Sequence, residues 1–231
     1  MFKSFGYILN RRPFRESSFL VDIFTEDFGR ICCVARPAKK RGKIVKGNLE
    51  PFRYVNLQWI GKGDVQTLTE ADERGRHTIP PSEMMLGLYL NELLLLLTRQ
   101  HVPMPELFYA YKFTLHKLCD PLINRHILMR FEMYLLASLG FPLESQQEII
   151  ADKSYFFSAE EGILRATDDD TSQPLITSQN KHLISGNLLL ALQDIQNMQE
   201  SQWKALRQFL DHALALLAPR TINSRKLLQL D

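Results

Sequence analysis

Five short runs of strand character crowd into the first seventy residues, and one stretch among them cannot be buried. Arg36 to Lys46, RPAKKRGKIVK, carries six cations (Arg36, Lys39, Lys40, Arg41, Lys43, Lys46) and no acid, with Gly42 and Gly47 close by. Desolvating that much unpaired charge is too costly for a core, so the segment must be a solvent-facing loop between strands, open to a polyanion. Phe5 to Leu9 starts the first strand, and Ser17 to Thr25 sets Phe19, Val21 and Ile23 on one face at period two, opposite Ser18 and Asp22. Asp27-Phe28-Gly29 reads as a turn, Gly29 to Ala35 as a third strand and Phe52 to Ile60 as a fourth. Val65 to Ala71 is a fifth after the Gly61–Asp64 turn. Five strands with one long loop predict a small barrel. The oligonucleotide-binding (OB) fold leads, because it closes five strands and binds its ligand on one face.

Past Pro80-Pro81 the periodicity changes. Leu86, Tyr89, Leu90, Leu93, Leu94 and Leu97 recur at three and four after Ser82, a candidate N-cap. Pro105 to Leu118 and Asn124 to Leu139 predict two more helices, the last stopped by Gly140 and Pro142. Within an irregular stretch at about 142–186, Tyr155–Ser158 and Gly162–Ala166 fit a short hairpin and Thr167–Gln173 an acidic surface loop. Helical pattern returns over Gly186–Asn197 and Glu200–Leu217, before a short basic element at Asn223–Leu230. The expected class is α+β: an OB barrel over residues 1–80 and a mostly α-helical domain over 81–231.

Net charge is only +2, but it is polarised. Residues 1–70 hold thirteen Lys and Arg against seven Asp and Glu, and the remainder fifteen against nineteen. A basic binding module on a mildly acidic scaffold follows, with nucleic acid as the first partner to consider. Single-strand binding needs cations along the phosphates and aromatics on which bases stack. Arg11, Arg12, Arg15 and Arg30 join the loop cations, with Phe14 and Tyr54 as stacking candidates. Phe28, Phe52 and Trp59 read as core.

Enzymatic signatures are thin. The GKGD at Gly61–Asp64 lacks the spacing of a phosphate-binding loop, and His116, His126 and His212 pair with no second ligand. Asp168-Asp169-Asp170 could suggest a metal-dependent nuclease, but consecutive loop carboxylates do not fix two-metal geometry. The reading is therefore a non-enzymatic binding protein without a cofactor. Three cysteines, two of them adjacent (Cys32, Cys33), fit a reducing compartment rather than a disulfide framework. No signal-peptide core or membrane-length apolar run is evident, so a cytoplasmic, nucleoid-associated location is expected.

Several blocks, in order along the chain, resemble one family. They are GYILNRRPFRESSFLVDIFTEDFGRICCVARPAKK, GNLEPF, GLYLNELL, PELF, RFE with LLASLGF, and NSRKLL. Together they are similar to the bacterial RecO recombination-repair mediators. The resemblance implies an OB barrel followed by a helical domain, binding of single- and double-stranded DNA, and annealing of complementary strands. It also implies RecR as partner and help in loading RecA onto DNA coated with single-strand-binding protein, whose acidic C-terminal tail docks on the helical domain. Many members carry a four-cysteine zinc-type insert after the LLASLGF-type motif. Residues 140–186 contain no cysteine, so the resemblance is to the cysteine-free branch, without metal. For the tail, Arg130 lies inside the RFE motif, and Arg207, Arg225 and Lys226 are further candidates; ordinary helix-surface cations are the alternative for each. An RNA-binding or ribosome-associated OB protein is the rival reading, since phosphate contacts do not separate RNA from DNA.

Overall fold

The computed structural model describes residues 1–37, 43–120, 126–143, 148–166 and 183–228. Residues 1–123 with 222–231 pack as one unit and residues 124–221 as another. The expected division near residue 80 marks where strands give way to helices.

In the first unit β1 (Phe2–Phe14), β2 (Ser18–Thr25), β3 (Gly29–Ala35), β4 (Arg53–Ile60) and β5 (Val65–Arg76) close a barrel in the order β1-β2-β3-β5-β4. This is the expected OB arrangement. Alternation explains the core: Ile8, Val21, Ile23, Ile31, Cys33, Val55, Leu57 and Trp59 point inward and are buried. A short 3-10 turn, Lys46–Leu49, adds Leu49 to that core.

Two strands outrun their apolar pattern. β1 continues through Arg11, Arg12 and Pro13 because β2 pairs with it as far as Phe14↔Ser18. β5 continues through the charged run EADERGR, where Arg53 meets Glu73 across the β4–β5 pair at 3.0 Å.

Helices α1 (Met84–Leu97) and α2 (Pro105–Lys117) belong to this unit. α1 comes so close to the barrel's edge that a Cβ on Gly87 would sit 2.9 Å from the Phe52 ring. Phe108 and Tyr111 of α2 pack on the outward faces of Tyr7 and Phe24. The α1–α2 connection runs along β3, with His101 N–H donating to the Arg30 carbonyl at 2.9 Å. It presses so close that only glycine fits at position 29: φ is +66° and a Cβ would lie 1.9 Å from the Val102 carbonyl oxygen. The Glu92 carboxylate accepts from the backbone N–H groups of Asn223 and Ser224, tying the turn Ser224–Leu227 to α1.

The second unit contains α3 (His126–Ser138), the hairpin β6 (Ser154–Ser158) and β7 (Gly162–Arg165), β8 (Leu183–Ser185), α4 (Gly186–Ala191) and α5 (Glu200–Leu217). α3 ends at Gly140, φ +94°, with Phe141 N–H bonded to the Leu136 carbonyl. Phe157 meets Phe141 and Phe209 edge-on, next to buried Leu206, Leu210 and Leu214. The short β8, which pairs with β6 in a sheet ordered β7-β6-β8, escaped sequence reading.

Candidate nucleic-acid interface

Strand register decides which cations share a surface. Arg12, Leu20, Val34 and Thr67 are aligned across β1, β2, β3 and β5, so they lie in one row on the outer face. Phe14 and Ser18 form the next row, extended by Arg36, whose Nε donates to Ser18 Oγ at 3.3 Å. Arg12 and Arg36 are exposed. Arg15 sits at the β1–β2 turn with φ +54°, its guanidinium 5.2 Å from the Phe14 ring centre. Lys43 and Lys46 are also exposed, on the returning side of the basic loop.

Other cations expected at this surface have different work. Arg11 has the opposite parity: it pairs with Glu50 at 2.9 Å, donates to the Lys46 carbonyl at 3.2 Å, and covers the Phe19 ring at 4.8 Å. It braces the barrel mouth, with Lys46 Nζ also over Phe19 at 5.6 Å. Arg30 is turned toward the α1–α2 connection. Its Nε and Nη2 donate to the Thr98 carbonyl at 3.3 and 2.9 Å, Asp22 lies 4.0 Å away, and burial lowers its pKa. No local sequence signal announces that role, because Thr98 is sixty-eight residues away. Lys39, Lys40 and Arg41 lie outside the described residues.

The aromatics separate too. Phe14 stays on the cationic face, half-buried. Tyr54 does not share its row: it stacks on Phe5 at 5.5 Å and leans on Tyr7, beneath Lys112 Nζ at 4.7 Å. Burial, then Glu26, raises the pKa of its hydroxyl. Phe28 packs with Phe2 and Trp59, and Phe52 is buried, as read. Next to the face, burial and then Asp22 push the Cys32 thiol up to about 11, which keeps it protonated at neutral pH.

The four tail candidates fall in two units. Arg130 is exposed on α3. Arg207 of α5 is only 8% exposed and is held by Glu132 at 2.7 Å and by Asp211 one turn on. It is an internal strut rather than an open cation. Arg225 and Lys226, half-buried and exposed, belong to the turn in the first unit.

Among the described residues, no three His, Cys, Asp or Glu side chains are arranged to hold a metal ion, and no helix is long and apolar enough to cross a membrane. His77 Nδ1 lies 3.9 Å from Cys119 Sγ, but its Nε2 is taken by the Tyr7 hydroxyl at 3.0 Å. Asp168–Asp170 lie outside the described residues.

Residues 1–74 match the family model described as recombination protein O N terminal, and residues 81–226 match recombination protein O C terminal. The chain is 31% identical over 230 residues to DNA repair protein RecO of Vibrio vulnificus, covering 96% of this chain and 90% of that protein. It is 32% identical over 234 residues to the Glaesserella parasuis protein of the same name, covering 97% and 93%. For the Cupriavidus metallidurans protein, likewise named, the identity is 32% over 232 residues, covering 96% and 75%.

Proposed function

Because the chain belongs to the recombination protein O family and so serves in DNA repair and recombination, we propose that it binds single- and double-stranded DNA and anneals complementary strands. The observation that supports this most is the open barrel face, where Arg12, Arg15 and Arg36 are exposed around Phe14, with Lys43 and Lys46 exposed on the adjoining loop. Lys39, Lys40 and Arg41 add charge to the same loop in sequence. Cations on two strands relieve the repulsion between their phosphates, and counterion release supplies affinity without sequence preference. Base pairing then supplies the energy, so neither nucleotide hydrolysis nor a cofactor is needed and the protein is not an enzyme. In the cytoplasm, at the nucleoid, it works with RecR to help RecA replace single-strand-binding protein.

The test is annealing of complementary DNA strands, and in parallel RNA strands, with neither metal nor nucleotide present. Accelerated DNA annealing is expected. No acceleration, or acceleration of RNA alone, would refute the assignment. The tail of single-strand-binding protein is proposed to meet Arg130. Arg130→Ala should weaken a labelled tail peptide by about tenfold, the worth of one charge-assisted hydrogen bond. A loss seen only with barrel variants would make the tail a mere competitor for the DNA face.

A further inference from the structure

Among the described residues, the β3–β5 seam of the barrel opens beside the basic loop. β3 and β5 pair over only three residues each, Cys32–Val34 with Val65–Thr67. The chain leaves at Arg36 and returns to β5 at Ile44↔Ala71, where Ala71 N–H donates to the Lys43 carbonyl at 2.8 Å. Between those contacts, over Leu68 to Glu70, no strand among the described residues lies beside β5 on this side. The gap is a cleft of about 430 Å³, within the roughly 300–1,000 Å³ typical of small-ligand sites.

Its lining has a definite chemistry. Val34, Ile44 and Leu68 give an apolar floor, while Thr67 and Thr69 supply hydroxyls. Thr69 Oγ1 already donates to the Gln58 carbonyl at 3.0 Å, whereas Thr67 is exposed at the opening. Arg36 and Lys43 line the cleft where the loop leaves and returns, and among the described residues no acidic side chain lines it. A flat apolar ring with a polar edge, attached on both sides to phosphates, matches each of these features.

We propose that this cleft takes one unstacked base of a bound single strand, the flanking phosphates resting on Arg36 and Lys43. The inference rests on the DNA-binding reading above and deepens it. Phosphate contacts alone hold a strand by its backbone, but a base drawn into the wall also unstacks it and fixes its register. A strand with one base held out of its stack presents the neighbouring bases for pairing.

The probe is a single strand carrying one diazirine-modified base, whose photogenerated carbene inserts into C–H bonds of an aliphatic floor. It is used with the full chain and mapped by mass spectrometry. Adducts on Val34 and on Thr67 to Thr69 are expected, undiminished by excess mononucleotide. Thr67→Trp, which fills the mouth of the cleft from an exposed strand position, should remove most of those adducts and weaken strand binding; adducts that persist in it would overturn the cleft. Salt-dependent binding with adducts only elsewhere, on Phe14 for example, would overturn the cleft and leave the DNA-binding reading intact. Suppression by mononucleotide would also overturn it, since the cleft would then be a site for free nucleotide. No salt-dependent strand binding by the wild type would overturn both.

Discussion

Asn91 holds the first helix to the barrel at a place where the strand cannot satisfy itself. β1 has a bulge between Ile8 and Asn10, so Leu9 has no partner in the β2 ladder, and its pairing with β4 stops at Tyr7. The Leu9 carbonyl accepts instead from Asn91 Nδ2 at 2.7 Å, and Asn91 Oδ1 accepts from the Tyr111 hydroxyl at 2.5 Å, all three groups being buried. Asn91→Leu preserves size and raises helix propensity, so it isolates the loss of both bonds. Leaving the carbonyl without its donor costs about 1–3 kcal/mol and losing the tyrosine bond about 1, for a total of roughly 2–4 kcal/mol. At about 2–4 °C per kcal/mol for a chain of this size, the melting temperature of the first unit should fall by roughly 5–15 °C. Near-ultraviolet circular dichroism on heating reads this. The double variant Asn91→Leu/Tyr111→Phe should lose less than the sum of the singles by at least about 0.5 kcal/mol, since each single already breaks the shared bond. A single variant that melts like wild type, or strictly additive singles, would refute the proposed strut.

Arg207→Ala should destabilise the second unit by about 3–5 kcal/mol in denaturant unfolding, because the fully buried Glu132 loses its guanidinium, and Arg207→Met/Glu132→Leu should recover most of that loss. His77 should make the fold acid-sensitive. Burial first, then His116 and Lys112, lower its pKa, so the unfolded chain takes up its proton near pH 6.5 while the folded chain does not. Stability attributable to His77 is then present above about pH 7 and lost as pH falls, and His77→Gln should flatten the dependence of unfolding free energy on pH below about 7. Charge reversal at Lys39, Lys40 and Arg41 should weaken single-strand binding strongly in a titration at fixed salt, whereas a variant binding like wild type would remove the loop from the interface.

Much of the barrel is legible because the inward residues of β2 and β3, Val21, Ile23, Ile31 and Cys33, recur at period two in residue order, although Asp22, Phe24 and Cys32 between them are buried as well. The ends of β1 and β5 are not, because their charged residues are held in the sheet by partners on other strands, such as Arg53 for Glu73. The site divides the same way. Composition identifies Arg12, Arg15, Arg36, Lys43 and Lys46 as cations free for a polyanion, but gives no means of separating them from Arg30, whose acceptor is the Thr98 carbonyl. Arg207 shows both cases in one residue. Its pairing with Asp211 is an i,i+4 spacing readable in the sequence, while its pairing with Glu132 needs α3 and α5 side by side. The cleft between Arg36 and Lys43 depends on where β3 stops pairing with β5, which no local pattern encodes.

The most direct test of phosphate binding by the open barrel face is the salt dependence of single-strand affinity for wild type and for Arg12→Ala/Arg36→Ala/Lys43→Ala. Each phosphate contact on a single strand contributes about 0.7 to the slope of log K against log salt, so losing three should reduce it by about 2. Affinity at low salt should fall with it, while thermal unfolding of the barrel stays unchanged. An unaltered slope with unaltered affinity would contradict the assignment and place the DNA on another surface.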